Sequence, residues 1–371
     1  MLDKVSGFVV DEVEPVESTL DAGGQPAREA LAVLRATAKR RGLWALPLPL
    51  EHGGGGLGLA DYFALAEAEG RSDHGPAALG SASLLDVRML CSHATPAVRE
   101  RYVGPLVSGA ITGSYAMTEP EVAGSDPSAV RTRADRVADG WVLTGRKWFT
   151  TGAAHAAFTT VLARSPEGLS LFVVPTDAPG FRVVRELPVL GAAGQVEIEL
   201  TDVPVPTENL LGEPGSGLAV AGGRLALGRT LRCLRWLGQA ERAFDLMCDR
   251  ASTRRIGDGV LADRQLVRQH VFEALLALRS ARALVHQAAA LVADDRPART
   301  EIGLAKVAAA RTLHQVVDSA TQVFGAEGLT SDTPLPMLAR LGRAARVLDG
   351  ADELHVSETA RAVLRARARA R

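Results

Sequence analysis

The run Tyr115-Ala-Met-Thr-Glu-Pro-Glu-Val-Ala-Gly-Ser-Asp126, followed by Gly145-Arg-Lys-Trp-Phe-Thr-Thr-Gly152, decides how this chain is read. Both runs predict β-segments, neighbours in one domain, each ending in turn chemistry. Gly124 lets backbone approach a ligand closely, and Ser125 offers a hydroxyl beside N–H groups of a turn. That arrangement suits an electron-rich ring or a phosphate. Phe149 supplies an aromatic face next to the hydroxyls of Thr150 and Thr151. A core position in a sheet is the plain alternative for Phe149.

Outward from these runs the hydrophobic period changes twice. Between residues 114 and 212 it is two: Asp139-Gly140 signals a hairpin, Leu169-Ser-Leu-Phe-Val-Val174 is strand-like, and Val196, Ile198 and Leu200 alternate with acids. Before this, Leu31, Leu34 and Ala38, or Tyr62, Leu65 and Ala66, recur at helical spacing. After Pro204, Pro206 and the loop Gly212-Glu-Pro-Gly-Ser-Gly217, helical periodicity returns. Leu313, Val316, Val317, Ala320, Val323 and Phe324 form a stripe suited to a bundle. The reading is an α+β multidomain chain. It has an N-terminal helical domain (1–113), a central β-barrel-like or sandwich domain (114–215) and a C-terminal four-helix bundle (216–371).

With 371 residues, 47% hydrophobic and 23% charged, the chain has ample material for a buried core. A formal net charge of −1 leaves no field to attract nucleic acid or an anionic membrane. Cys91, Cys233 and Cys248 lack the paired spacing of a metal site or disulfide framework, so they read as buried thiols of a cytoplasmic protein. Asp3, Asp11, Glu12 and Glu14 break up the first residues, and no run approaches the ~18 uninterrupted apolar residues of a membrane span. His52-Gly-Gly-Gly-Gly56 lacks the Lys-Ser/Thr of a phosphate loop and reads as a flexible turn. Lys147 and Arg131 read as surface charges. Arg361, Arg365, Arg367, Arg369 and Arg371 read as a solvated helix end, where positive charge is favoured.

The two opening runs, in this order, resemble the flavin-binding β-domain of the acyl-CoA dehydrogenase family, and the similarity extends over essentially the whole chain. Gln322-Val-Phe-Gly-Ala-Glu-Gly328 resembles the family's glutamine-and-glycine motif, which grips the adenosine end of FAD from a neighbouring subunit. Counting on from Gln322 without gaps brings the family's catalytic carboxylate onto Asp349, in Leu348-Asp-Gly-Ala-Asp-Glu-Leu-His355. Most relatives carry Glu there, and the text here is similar to a subgroup with Asp. Some relatives place the base one residue before a substrate-holding arginine, which corresponds here to Arg229. The preceding residue is Gly228, which cannot abstract a proton.

The resemblance implies FAD as cofactor and no metal. It implies cofactor contacts from Tyr115, Met117, Thr118, Gly124, Ser125, Phe149, Thr150, Thr151, Arg254, Gln265, Gln322, Gly325, Ala351 and Glu353. Thr118 is expected at the ring edge, Ser125 at the pyrophosphate, Thr151 at flavin N5 with Thr150 as the alternative, and Arg254 at the phosphates across a dimer interface. Ser125, Arg229 and Gly350 are expected toward substrate. The implied reaction is α,β-dehydrogenation of an acyl thioester, on CoA or an acyl carrier protein. Asp349 takes the α-proton from an apolar slot, its backbone N–H helps hold the carbonyl oxygen, and an electron-transfer flavoprotein accepts the electrons from a homodimer or homotetramer. A flavin oxidase or monooxygenase, or a non-catalytic helical assembly protein, are the alternatives on the same fold. Gly257 and Asp258 stand where relatives carry Phe-Gly, Ala326 replaces a glycine and Ala351 a threonine. Each loss is on the order of one hydrogen bond, ~1 kcal/mol, and all weaken cofactor retention.

Overall fold

The two changes of hydrophobic period become two changes of architecture. A computed structural model describes residues 1–190 and 194–369; Arg371 of the arginine series lies outside them. N-terminal helices lead into a mixed sheet, and helices follow again. Packing divides these elements into two units. One comprises Thr19–Leu57 and Leu79–Leu225, the other Met1–Ser18, Gly58–Ala78 and Ala226–Arg371.

The first of these units is built on an eight-stranded sheet: β1 (Gly113–Ala116), β2 (Arg133–Val137), β3 (Gly140–Thr151), β4 (Phe158–Ser165), β5 (Gly168–Pro175), β6 (Phe181–Glu186), β7 (Gln195–Pro206) and β8 (Leu210–Leu211). Its order is β6-β7-β3-β2-β4-β5-β8, and β1 lies parallel to β4. The Asp139-Gly140 signal is a true hairpin, with Val137 opposite Gly140. Alternation buries Trp141, Leu143, Val161, Phe172, Ile198 and Leu200 in one core, where Trp141 meets Phe172 edge-on at 5.3 Å. Glu197 breaks the alternation: its carboxylate is almost wholly covered, paired to Arg146 and Arg185, whose head groups reach solvent. The helix Pro96–Ser108 starts on a Thr95 cap that accepts the Val98 N–H, and Tyr102 within it packs on Phe158 at 4.7 Å.

The glycine run before this helix is not a flexible turn. The N–H groups of Gly54, Gly55, Gly56 and Leu57 bond to the carbonyls of Pro49, Ala45, Leu48 and Leu46. A Cβ at Gly55 would lie 2.7 Å from the Leu46 Cα, and one at Gly54 would strike the Leu48 carbonyl. The glycines let two backbone stretches close on each other.

In the other unit the long helices Gln265–Ala293, Arg299–Phe324 and Asp352–Arg369 dominate, with Gly217–Thr253 from Ala226 onward. The stripe Leu313, Val316, Val317 and Ala320 is fully buried, as its spacing requires. Ion pairs tie the N-terminal segments to the C-terminal helices: Arg242 to Glu17 at 2.7 Å, Arg71 to Asp245 at 2.8 Å, and Arg282 to Glu67 at 2.6 Å. Helix Gln265–Ala293 is long and apolar enough, by length and composition, to cross a membrane. Arg268, Glu273, Arg279 and Arg282 interrupt it, and Ala274, Leu278, Ala281 and Val285 are buried within the helical unit. Cys233 is buried, Cys91 and Cys248 are half-buried, and all three are free.

Candidate active site

The site residues from the β-region are set by an irregularity in β3. Its pairing with β7 shifts register between Lys147 and Thr150, leaving Trp148 and Phe149 in a bulge. Phe149 takes the left-handed conformation (φ +50°), uncommon for an aromatic residue. Its ring is 44% exposed and tilts against Trp148 at 4.8 Å. Thr151, exposed, bonds to Gln195, whereas Thr150 is fully buried and its hydroxyl has no partner among the described residues. Phe149 and Thr151 are thus open to solvent, and the hydroxyl of Thr150 is not.

A reciprocal clip fastens this bulge to the first sequence run. The Trp148 N–H donates to the Thr118 carbonyl at 3.0 Å, and the Thr118 hydroxyl donates to the Trp148 carbonyl at 2.8 Å. Beneath it Lys147, read from sequence as a surface charge, is completely buried. Its ammonium donates to the Met117 carbonyl and to Glu119, both at 2.9 Å. Glu119 also accepts from the Thr132 N–H and hydroxyl and from the Arg131 N–H. Burial pulls the Lys147 ammonium down to about 8 against the opposing pull of Glu119. Burial also raises the Glu119 carboxyl, but Lys147 and the Thr132 and Arg131 bonds outweigh it and hold the group below its ordinary value. Arg131 itself points outward, as expected, to an exposed Glu121.

Gly124 and Ser125 lie exposed in the turn after Glu119, and Met117 is half-buried behind it. The Tyr115 phenol is enclosed: its oxygen has no partner among the described residues, Arg224 stacks on the ring at 4.5 Å, and Arg224 pairs with Asp86 at 2.7 Å. Burial pushes the phenol up to about 12, so Tyr115 stays neutral.

In the helical unit Asp349 occupies a tight turn between helices Leu335–Ala345 and Asp352–Arg369. It is left-handed (φ +55°) and followed by Gly350 at φ +96°. Arg229, expected to hold substrate, spends its Nε on the Asp349 carbonyl at 3.0 Å. The Asp349 carboxylate, expected in an apolar slot, is 32% exposed and lies 3.4 Å from Arg232 Nε. Arg229 and Arg232 are a turn apart on one helix, so the same helix face holds both the backbone and the side chain of Asp349.

Asp352 roots this turn. Its buried carboxylate meets Lys306 at 3.1 Å, Arg346 at 3.0 Å and Arg311 at 3.4 Å, and its N–H donates to the Arg346 carbonyl. Burial raises the carboxyl, but bonds from Arg346 and Lys306 outweigh it, leaving the group below its ordinary value. The unfolded chain then binds this proton more tightly. The stabilisation is complete above about pH 4 and is lost as pH falls through the folded value. The stability gap between wild type and Asp352→Asn, measured by urea unfolding, should accordingly narrow as pH drops below about 4.

The residues assigned to the far end of the cofactor lie on the surface of the chain. Arg254, Gln265, Gln322, Gly325 and Ala326 are exposed, as are Gly257 and Asp258 in the short hairpin after Arg254. Glu353 is exposed in the first turn of its helix, and Ala351 is half-buried with its carbonyl accepting from the N–H groups of Leu354 and His355. Sequence reasoning missed Lys147, Asp352 and His355. Among the described residues no cluster of three His, Cys, Asp or Glu side chains could hold a metal.

Three family models match the chain in succession: the acyl-CoA dehydrogenase N-terminal domain over residues 1–110, the middle domain over 114–203 and the C-terminal domain over 215–364. A Mycobacterium tuberculosis protein named as acyl-CoA dehydrogenase FadE2 is 36% identical, covering 97% of this chain and 94% of its own length. Human acyl-CoA dehydrogenase family member 11 is 32% identical over 100% of this chain, which spans only 50% of that protein. A solved Mycobacterium abscessus structure described as an acyl-CoA dehydrogenase superposes with a TM-score of 0.90 at 32% identity, covering 98% of this chain and 97% of that one.

Proposed function

Because the chain belongs to the acyl-CoA dehydrogenase family, we propose that it is an FAD-dependent α,β-dehydrogenase of acyl thioesters with Asp349 as the base. The observation that carries the reading is the left-handed bulge of β3. It leaves Phe149 and Thr151 exposed and is fastened to Thr118 by two hydrogen bonds. These residues fit a flavin: an aromatic edge for the ring, a hydroxyl beside it, and an exposed turn at Gly124 and Ser125 that suits a phosphate. FAD, when bound, supplies the two-electron acceptor for the β-hydrogen.

The protein's own contribution is to bind, orient and deprotonate. The α-proton of a thioester is acidic enough to be taken by a fixed carboxylate when hydrogen bonds hold the carbonyl oxygen. Asp349 suits that role, with its main chain fixed by Arg229 and its carboxylate directed by Arg232. The backbone N–H of Asp349 is assigned to the thioester oxygen, and Gly350 to the substrate beside it. Arg254, Gln265, Gln322 and Gly325, exposed on a single chain, are assigned to the adenosine and phosphate end of FAD held by a second copy. CoA or a carrier protein is the thiol carrier, and an electron-transfer flavoprotein is the electron acceptor.

The test is to load the protein with FAD and add a panel of saturated acyl thioesters, CoA-linked and carrier-linked, without oxygen. The reading expects the flavin band to bleach and a 2-enoyl thioester to form with at least one of them. Bleaching by none would reject it, and fast reoxidation in air with peroxide release would identify an oxidase instead.

A further inference from the structure

The turn that carries Asp349 is held at one atom by two donors. Besides Arg229 Nε at 3.0 Å, the ring Nε2 of His355 lies 3.1 Å from the same Asp349 carbonyl oxygen. His355 is buried and stands three residues after Asp352, on the same face of the first helical turn. Asp352 in turn is pinned by Lys306, Arg346 and Arg311. The ring is packed so closely on the turn that a Cβ at Gly350 would sit 2.8 Å from His355 Nε2. A left-handed Asp followed by a left-handed Gly is a turn that Asp tolerates better than most residues, yet at some backbone cost that glycine would not incur. The two donors on the Asp349 carbonyl offset that cost and fix the direction in which the neighbouring N–H and carboxylate point.

Resting on the proposed dehydrogenase reading, we infer that His355 is a positioning residue for the base: its Nε2–H holds the Asp349 peptide so that carboxylate and backbone N–H meet the thioester together. A carbonyl only accepts, so Nε2 carries the hydrogen and the neutral ring has one tautomer. Burial lowers the pKa of the ring, and the imidazolium would donate from the same nitrogen, so the tether is present in either form. His355 touches no reacting atom. Its contribution is geometric, and a misplacement of ~1 Å at a reacting group costs on the order of 100-fold in rate.

The experiment uses the FAD-loaded full chain and the acyl thioester that bleaches wild type fastest. His355→Leu removes the donor, His355→Asn presents an amide too short to reach, and His355→Gln places an amide N–H where Nε2 stood. Single-turnover flavin reduction should slow roughly 10- to 100-fold in the Leu and Asn variants. FAD content and thioester affinity should stay near wild type, and Gln should recover to within a few-fold. Equal rates in all four proteins would overturn the inference, as would a Gln variant as slow as Leu, or slowing that merely tracks lost FAD or weaker thioester binding. If Leu fails to fold, the Asn and Gln pair decides alone. A wild type that no thioester reduces rejects the dehydrogenase reading itself, a result distinct from any difference among the variants.

Discussion

Asp349→Asn should lower the rate of flavin reduction by an acyl thioester about 10²- to 10⁴-fold, the share of a barrier that a positioned general base removes. The substitution keeps the size of the side chain and the left-handed turn, since Asn tolerates φ > 0 as Asp does. The Asp349 carbonyl keeps its bonds from Arg229 and His355, so the backbone N–H stays in place. What is removed is the proton acceptor, together with the negative charge that faces Arg232. Three nearby groups are poor substitutes: Gly228 has no side chain, Cys233 is driven up to about 12 by burial, and His355 Nε2 is engaged with the Asp349 carbonyl. Stopped-flow absorbance on FAD-loaded protein checks this, with equilibrium thioester binding expected within a few-fold of wild type. A loss of binding equal to the loss of rate would instead assign Asp349 to substrate affinity.

The second large effect concerns stability and cofactor retention together. Lys147→Met should destabilise the β-sheet unit by about 3–5 kcal/mol, the usual cost of leaving one partner of a buried pair uncompensated. Glu119 would keep its bonds from Thr132 and the Arg131 N–H but would lose its countercharge. The Met117 carbonyl would lose its donor directly behind the clip that fastens Thr118 to Trp148. FAD content after gel filtration should fall in parallel with the urea midpoint. The double variant Lys147→Met/Glu119→Gln should recover part of the stability, because a neutral pair no longer carries an unmatched charge. No recovery in the double variant would mean that the packing of the lysine stem, rather than its charge, is what the fold requires.

Local signals in the sequence were legible where their physics is local. The Asp139-Gly140 signal marks a hairpin whose two-residue loop is Ala138-Asp139, and the stripe from Leu313 to Ala320 is buried because its spacing matches one face of a helix. Phe149 could be placed on a strand from its neighbours, and its exposure takes it out of the core. Lys147 could not be read in the same way. Its partner Glu119 lies 28 positions away, and only the pairing of β3 with the loop after β1 brings them together. The glycine run at residues 53–56 looks like a hinge in one dimension and is a close backbone crossing in three. Glu197 sits where alternation predicts a polar outward face, yet two arginines cover it. Asp352 and His355 were within the quoted motif but carried no pattern of their own. Their meaning comes from Lys306, Arg311 and Arg346 on other helices and from a carbonyl that sequence does not display.

If Asp349 removes the proton next to a thioester carbonyl, it must also catalyse exchange, in heavy water, of the α-hydrogen of an acyl-CoA analogue that has no transferable β-hydrogen. The FAD-loaded wild type should wash deuterium into that position, and Asp349→Asn, with the same cofactor content, should leave it at the solvent background. Equal exchange by both proteins would contradict that role and place the base elsewhere.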